Sequence, residues 1–119
     1  FSADQLAFIK NDLALVPKDH LIVPMMHIPL DSVRDRAKLF EMLDDFPHTL
    51  SLAAHWHRQE HFFMDGEEDW HGAKPHHHFV SNTACGSWLT GDFDELGIPE
   101  ATMSDGAPNG HTLIRFDGT

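Results

Sequence analysis

Hydrophobic positions recur at helical spacing in two early stretches of the chain. Residues 2–16 carry apolar side chains every three or four positions, and Ser2 and Gln5 are spaced as in a capping box. Residues 32–45 repeat the helical spacing, and a proline follows each stretch closely. Because proline cannot continue a helix, we predict one helix over each stretch.

Short apolar runs alternate with these helices. Residues 21–27 and 49–55 predict buried strands, although Pro24 makes the first of them less regular. The order helix–strand–helix–strand predicts parallel strands joined by a crossover helix, and therefore an α/β architecture. Residues 60–65 and 77–84 alternate as strands do, which gives the C-terminal part α+β character, and residues 111–118 predict a last strand.

Composition narrows the classes of function. The chain of 119 residues has 8 basic and 19 acidic side chains, a formal charge of −11 with histidine counted as neutral. Such a charge repels nucleic-acid phosphates. No apolar run approaches the ~20 residues that cross a bilayer. One cysteine excludes an intrachain disulfide, whereas 11 histidines suit a divalent metal. The pattern therefore predicts no nucleic-acid partner and no membrane span.

Three histidines follow the two predicted parallel strands. His27 comes directly after the first strand, and His55 and His57 follow the second. Because ligand sites in open α/β sheets lie at the carboxyl ends of the strands, these side chains are expected to meet in one crevice. Side chains two apart in extended backbone point the same way, so His55 and His57 could reach neighbouring metals. We predict a metal role for all three.

The other histidines have plainer interpretations. In a strand, His76 and His78 share one face and His77 takes the opposite one, so the run is either part of an active-site mouth or a polar surface strand. His61 is expected to be structural. Asp94 and Asp105 lack a calcium-loop pattern and are expected to cap turns.

The order of these motifs resembles the C-terminal half of calcineurin-like metallophosphoesterases. In that family a single metal-binding His precedes a G-H-x-H motif, and His27 and AHWH at 54–57 match these two. The segment GSWLTGDFDELGIPEATMSDGAPNGHTLIRFDG resembles the C-terminal extension of a bacterial subfamily. The extension carries G-S-W-W-x-G, G-I-P-D-A-T-M-x-D-G and P-N-G-Y in that order. The resemblance covers nearly the whole chain.

The resemblance implies a fold, a site and an activity. The fold would be the C-terminal half of a four-layer α/β/β/α sandwich, with residues 1–74 in the phosphoesterase domain and 75–119 in its extension. His27 and His55 would bind one metal and His57 the other, and the cofactors would be two divalent ions (Mn, Fe or Zn). His77 and Trp88 would line the substrate pocket. The activity would be two-metal hydrolysis of phosphate esters.

The chain departs from the family pattern in two ways. Ala54 replaces a glycine, and Leu89 and His111 replace a Trp and a Tyr of the extension. The motifs D-x-H, G-D-x-x-D and G-N-H-[DE] are missing, and with them the bridging aspartate and the leaving-group acid. A helix pattern is already under way at Ser2, so we expect residues to precede Phe1 and the isolated chain to be inactive.

Two other classes of function stay open. The histidines could store or sense metal without catalysis, or the chain could be a structural fragment that associates with its missing N-terminal half or with another copy. In the enzyme, the partner would be a phosphate-ester substrate whose identity the sequence does not give. The compartment stays open as well.

Overall fold

Two helices precede the sheet in a computed structural model that describes residues 1–84, 92–100, 103, 105–108 and 110–118. Helix α1 spans Ala3–Leu13, and the Ser2 hydroxyl accepts a hydrogen bond from the backbone N–H of Gln5 while the Gln5 side chain accepts one from Ser2. The predicted capping box is therefore present. Helix α2 spans Arg36–Leu43, shorter than predicted, because a 3-10 turn at Leu30–Ser32 precedes it.

The sheet has three strands and mixed direction. Strand β1 spans Leu50–Ala53, β2 spans Glu60–Met64 and β3 spans His76–Val80. The order is β1-β3-β2, with β3 parallel to β1 and antiparallel to β2. This mixed sheet with its helices has the α+β character that the sequence predicts for the later part of the chain.

The first predicted strand, residues 21–27, runs beside β1 without forming a regular strand. It makes isolated parallel bridges, Ile22 with Thr49 and Met25 with Leu52. Pro24 has no N–H to donate, so its carbonyl alone contributes, accepting from the N–H of Leu52 at 2.9 Å. The predicted parallel arrangement is confirmed, and the proline explains the irregularity.

The main core lies where helix α2 covers the sheet. Its buried side chains come from α2, the preceding 3-10 turn, the end of β2 and the following loop: Leu30, Leu39, Phe40, Leu43, Met64 and Trp70. The rings of Phe40 and Trp70 meet edge to face, with centroids 5.2 Å apart. The Trp70 indole N–H donates to the carbonyl of Lys74, so packing rather than ligand binding accounts for this tryptophan.

The predicted last strand is wrong. Residues 110–118 are described throughout and contain no strand. Leu113 is 88% exposed and Phe116 is 52% exposed, and no strand among the described residues packs against this alternating apolar pattern. The segment is held instead by Gly110, whose N–H donates to Thr83, and by the Thr112 hydroxyl, which donates to the Asn82 side chain.

Within the described parts of the chain, neither helix combines the length and the apolar character that a bilayer span requires.

Candidate metal centre

Backbone hydrogen bonds bring the ends of two parallel segments together. The N–H of Met26 donates to Leu52, and the N–H of Ala54 donates to the carbonyl of His27 at 3.2 Å. His27 and the residue before His55 are therefore neighbours across the ladder. The site lies at the carboxyl ends of these segments, where the parallel arrangement predicts it.

His27 and His55 are in direct contact. The Nε2 atom of His27 and the Nδ1 atom of His55 are 3.0 Å apart, and the two rings meet edge to face at 4.8 Å and 71°. Two nitrogens that bind one ion at about 2.1 Å and at right angles are themselves about 3.0 Å apart. The distance therefore fits either a hydrogen bond or a shared divalent ion, and two neutral imidazoles are suitable donors for one.

The turn that carries His55 and His57 is not extended. Both residues have positive φ, 68° and 53°, which is rare for residues other than glycine and costs about 1 kcal/mol each. The expectation that the two side chains point the same way because the backbone is extended is therefore wrong. Ala54 stands where the resembling family has glycine, and its φ is not positive. The turn therefore accommodates alanine at this position. Strained backbone of this kind is concentrated at functional sites.

The three predicted ligands differ in burial. His27 and His55 are exposed, whereas His57 is half-buried. In the part of the chain that the structure describes, no three side chains of His, Cys, Asp or Glu type gather closely enough to hold an ion. The described residues thus supply a pair of imidazoles with His57 nearby in sequence.

Two further histidines are buried within the sheet, on strand β3. His76 and His78 are 1% and 0% exposed, and Ser51 lies between them on β1. The Ser51 hydroxyl is 2.7 Å from Nε2 of His76 and 2.6 Å from Nδ1 of His78. At the two ends of the chain of contacts, Nδ1 of His76 is 2.8 Å from the Thr49 hydroxyl, and the N–H of Leu30 donates to Nε2 of His78 at 3.1 Å.

The donor at Leu30 fixes the tautomer of neutral His78. A backbone N–H can only donate, so Nε2 of His78 must be bare and its Nδ1 must carry the proton. The Ser51 hydroxyl then accepts from Nδ1–H of His78 and makes a second hydrogen bond with Nε2 of His76, whose Nδ1 is hydrogen-bonded to the Thr49 hydroxyl. Burial, reinforced by neighbouring histidines, lowers the pKa of both His76 and His78 to about 4. Both rings are therefore neutral at pH 7.

The network fixes the loop that follows His27. Pro29 and Leu30 are buried, and the Leu30 N–H is held by His78 from across the sheet. This role of His78 and Ser51 was not predicted. The sequence did carry a signal for it, because strand alternation places His76 and His78 on the same face. The prediction that this run is a polar surface strand is wrong for these two residues, because their face of the sheet is buried in the core.

The two residues expected to line the substrate pocket have different outcomes. His77 lies on the sheet face opposite to His76 and His78, as the alternation predicts, and its Nε2 is 2.8 Å from Nδ1 of His61. Its role in a pocket stays a prediction. Trp88 lies outside the described residues.

The acidic turn residues cap backbone groups as predicted. The Asp94 carboxylate accepts from the N–H groups of Leu96 and Ile98. The Asp105 carboxylate accepts from the N–H groups of Gln59 and Ala107, and these hydrogen bonds lower the pKa of Asp105. The Gln59 contact ties the loop after residue 104 to the segment that follows His57.

Comparison with known families supports the resemblance found in the sequence. Residues 78–119 match the family model described as the C terminal of calcineurin-like phosphoesterase. The resemblance to the C-terminal portion of a calcineurin-like metallophosphoesterase is therefore confirmed over these 42 residues of 119. No curated protein and no solved structure matches the chain. The predicted domain boundary between residues 74 and 75 stays a prediction. Strand β3 begins just after that boundary and lies between β1 and β2, which come before it.

Proposed function

We propose that this chain supplies three histidine ligands to a two-metal site that hydrolyses phosphate esters. His27 and His55 share one ion, and His57 contributes to the second. The observation that carries the proposal is the 3.0 Å separation of His27 Nε2 and His55 Nδ1 at the carboxyl ends of parallel segments. The phosphoesterase C-terminal match that begins at residue 78 supports the same class of enzyme.

The local structure suits this task. The ladder from Met26 to Ala54 fixes the spacing of the two ligand-bearing segments, and the His78–Leu30 hydrogen bond anchors the loop beyond His27. A ligand pair held in this way loses little conformational freedom when it binds an ion. The left-handed turn at His55 and His57 turns the chain sharply, so that residues close in sequence can face different positions in the site.

When bound, divalent ions would supply the positive charge that lowers the pKa of a water molecule and neutralises the oxygens of a phosphate ester. The residues of this chain would hold the ions and fix their positions in the site. The imidazoles of His27 and His55 would bind an ion through ring-nitrogen lone pairs without adding negative charge to the site. The net charge of −11 does not contradict a phosphate substrate, because bound cations would supply positive charge at the site.

We propose that the remaining ligands, a bridging carboxylate among them, lie outside this chain. Alone, the chain should bind metal weakly and turn over p-nitrophenyl phosphate slowly in Mn²⁺. A high turnover by the chain alone would contradict this division of the site. The codons upstream of Phe1 give an independent test, because the proposal requires D-x-H and G-D-x-x-D there and their absence would refute it.

Metal affinity tests the ligand assignment directly. Zn²⁺ binding is measured by calorimetry at pH 7 for the parent chain and for His55→Gln, and loss of one of two imidazoles should weaken the site at least about tenfold. His20→Gln is the matched control, because His20 is exposed and contacts only its neighbour Asp19 among the contacts of its side chain that the structure gives. Equal affinities for the parent and His55→Gln would refute the assignment.

A further inference from the structure

The turn that follows strand β1 is held at both of its ends. This ligand turn, residues 54–59, begins where the N–H of Ala54 donates to the carbonyl of His27 at 3.2 Å. It ends where the N–H of Gln59 donates to the Asp105 carboxylate at 2.9 Å. The first clamp comes from the segment that carries the other proposed ligand, and the second comes from a residue 46 positions further along the chain.

The ligand turn depends on such clamps because its backbone is strained. The N–H of Trp56 donates to the carbonyl of Ala54 at 2.8 Å, which closes a three-residue γ-turn around His55. With a φ of 68° at its central residue, this is the rare and strained form of that turn. His57 also has positive φ, at 53°. Left-handed conformations of this kind persist only where the surrounding structure fixes them.

The Asp105 carboxylate has two backbone partners. One oxygen accepts from the N–H of Ala107 within its own turn at 3.0 Å, and the other accepts from Gln59. The hydrogen bond from Gln59 is the main cause that lowers the pKa of Asp105, so the carboxylate is charged at pH 7 and the bond is charge-assisted. Asp105 belongs to residues 78–119, which match the phosphoesterase C-terminal model. A residue of that part therefore reaches the ligand turn directly.

We propose that Asp105 is a positioning residue for the metal pair: by holding the far end of the ligand turn, it keeps His55 beside His27. This inference rests on the proposed function, in which these two histidines share an ion. Within the ligand turn, the ring of Trp56 meets Phe62 of β2 edge to face, with centroids 5.7 Å apart. The segment between His55 and its clamped end is therefore packed against the sheet, so a displacement of that end is passed along the turn.

Loss of the Asp105 clamp reduces metal affinity through conformational freedom. A turn that is held at one end only samples more conformations, and an ion binds the one in which both ring nitrogens face it. The apparent affinity falls in proportion to the fraction of time that the turn spends in this conformation. The expected effect is therefore on metal binding at a distance, because Asp105 itself contacts neither of the two imidazoles among the hydrogen bonds that the structure gives it.

Zinc binding and amide hydrogen exchange test the proposal together. Asp105→Ala should weaken Zn²⁺ binding roughly threefold to tenfold in calorimetry at pH 7, and it should speed the amide exchange of Gln59. Asp94→Ala is the matched control, because Asp94 also accepts two backbone N–H bonds, but both come from its own turn, from Leu96 and Ile98. The control should leave Zn²⁺ affinity within twofold of the parent chain. Asp105→Asn keeps one acceptor oxygen for Gln59 and should recover part of the lost affinity.

Either of two results would overturn the proposal. The first is a Zn²⁺ affinity of Asp105→Ala within twofold of the parent chain, while His55→Gln weakens binding as expected. The second is an equal loss of affinity in Asp105→Ala and Asp94→Ala, because the effect would then be one of general stability. Failure of the proposed function is recognised separately: the parent chain and His55→Gln would bind Zn²⁺ equally well, and the positioning role would fail with the metal pair.

Discussion

Mild acid should destabilise the chain through the buried histidines His76 and His78. Each has a pKa of about 4 in the folded chain against 6.5 when it is free, so the unfolded chain binds more protons between these values. The two histidines do not lower the free energy of unfolding above pH 6.5. Between pH 6.5 and 4 the unfolded chain takes up protons that the folded chain does not, so the free energy of unfolding falls, and below pH 4 the loss stays constant. From pH 7.0 to 5.5, linkage gives a loss of about 1 kcal/mol for each histidine and about 2 kcal/mol for the pair.

Urea unfolding at the two pH values measures this loss, and a variant isolates its source. His78→Gln keeps an amide oxygen that can accept from Leu30, and it should remove about half of the acid-induced loss whatever its own stability at pH 7. His20→Gln should leave the loss as in the parent chain. Nitrogen-15 NMR of the imidazoles should show both rings neutral at pH 5.5, with the proton of His78 on Nδ1. A free energy of unfolding that is constant within about 0.5 kcal/mol, or titration near pH 6.5, would refute the buried network.

Three further substitutions test the packing and the cap. Ser51→Ala removes the hydroxyl between the two buried imidazoles and should cost about 2–3 kcal/mol in urea unfolding, whereas the exposed Ser32→Ala should stay within about 0.5 kcal/mol; equal effects would contradict the network. Phe40→Ala should cost about 3–5 kcal/mol in the same assay, because Phe40 is fully buried, and a loss below about 1 kcal/mol would place it outside the core. Ser2→Ala should cost about 1 kcal/mol and lower the helical circular dichroism signal, and an unchanged signal would contradict the cap.

The sequence predicted the helix cap because its signal is local, and it predicted the parallel pairing because the order of helices and strands constrains the direction of the strands. The Ser2–Gln5 capping box and the parallel path of residues 21–27 beside β1 follow from residue spacing and strand order. The final strand at 111–118 was wrong because a strand requires a partner edge, which alternation alone does not supply.

The candidate site was predicted by position rather than by conformation. Strand order places His27 beside His55, and the contact at 3.0 Å agrees with that order. The left-handed turn at His55 and His57 could not be predicted, because histidine has no intrinsic preference strong enough to reveal it. The roles of Ser51 and His78 depend on which sheet face is covered by α2, and that is decided by tertiary packing.

The most direct test of the proposed metal site is an anomalous difference map from crystals of the chain grown with Zn²⁺. The proposal predicts a peak about 2.0–2.2 Å from both His27 Nε2 and His55 Nδ1. Zinc found only at other histidines, with His27 and His55 still hydrogen-bonded to each other, would contradict it.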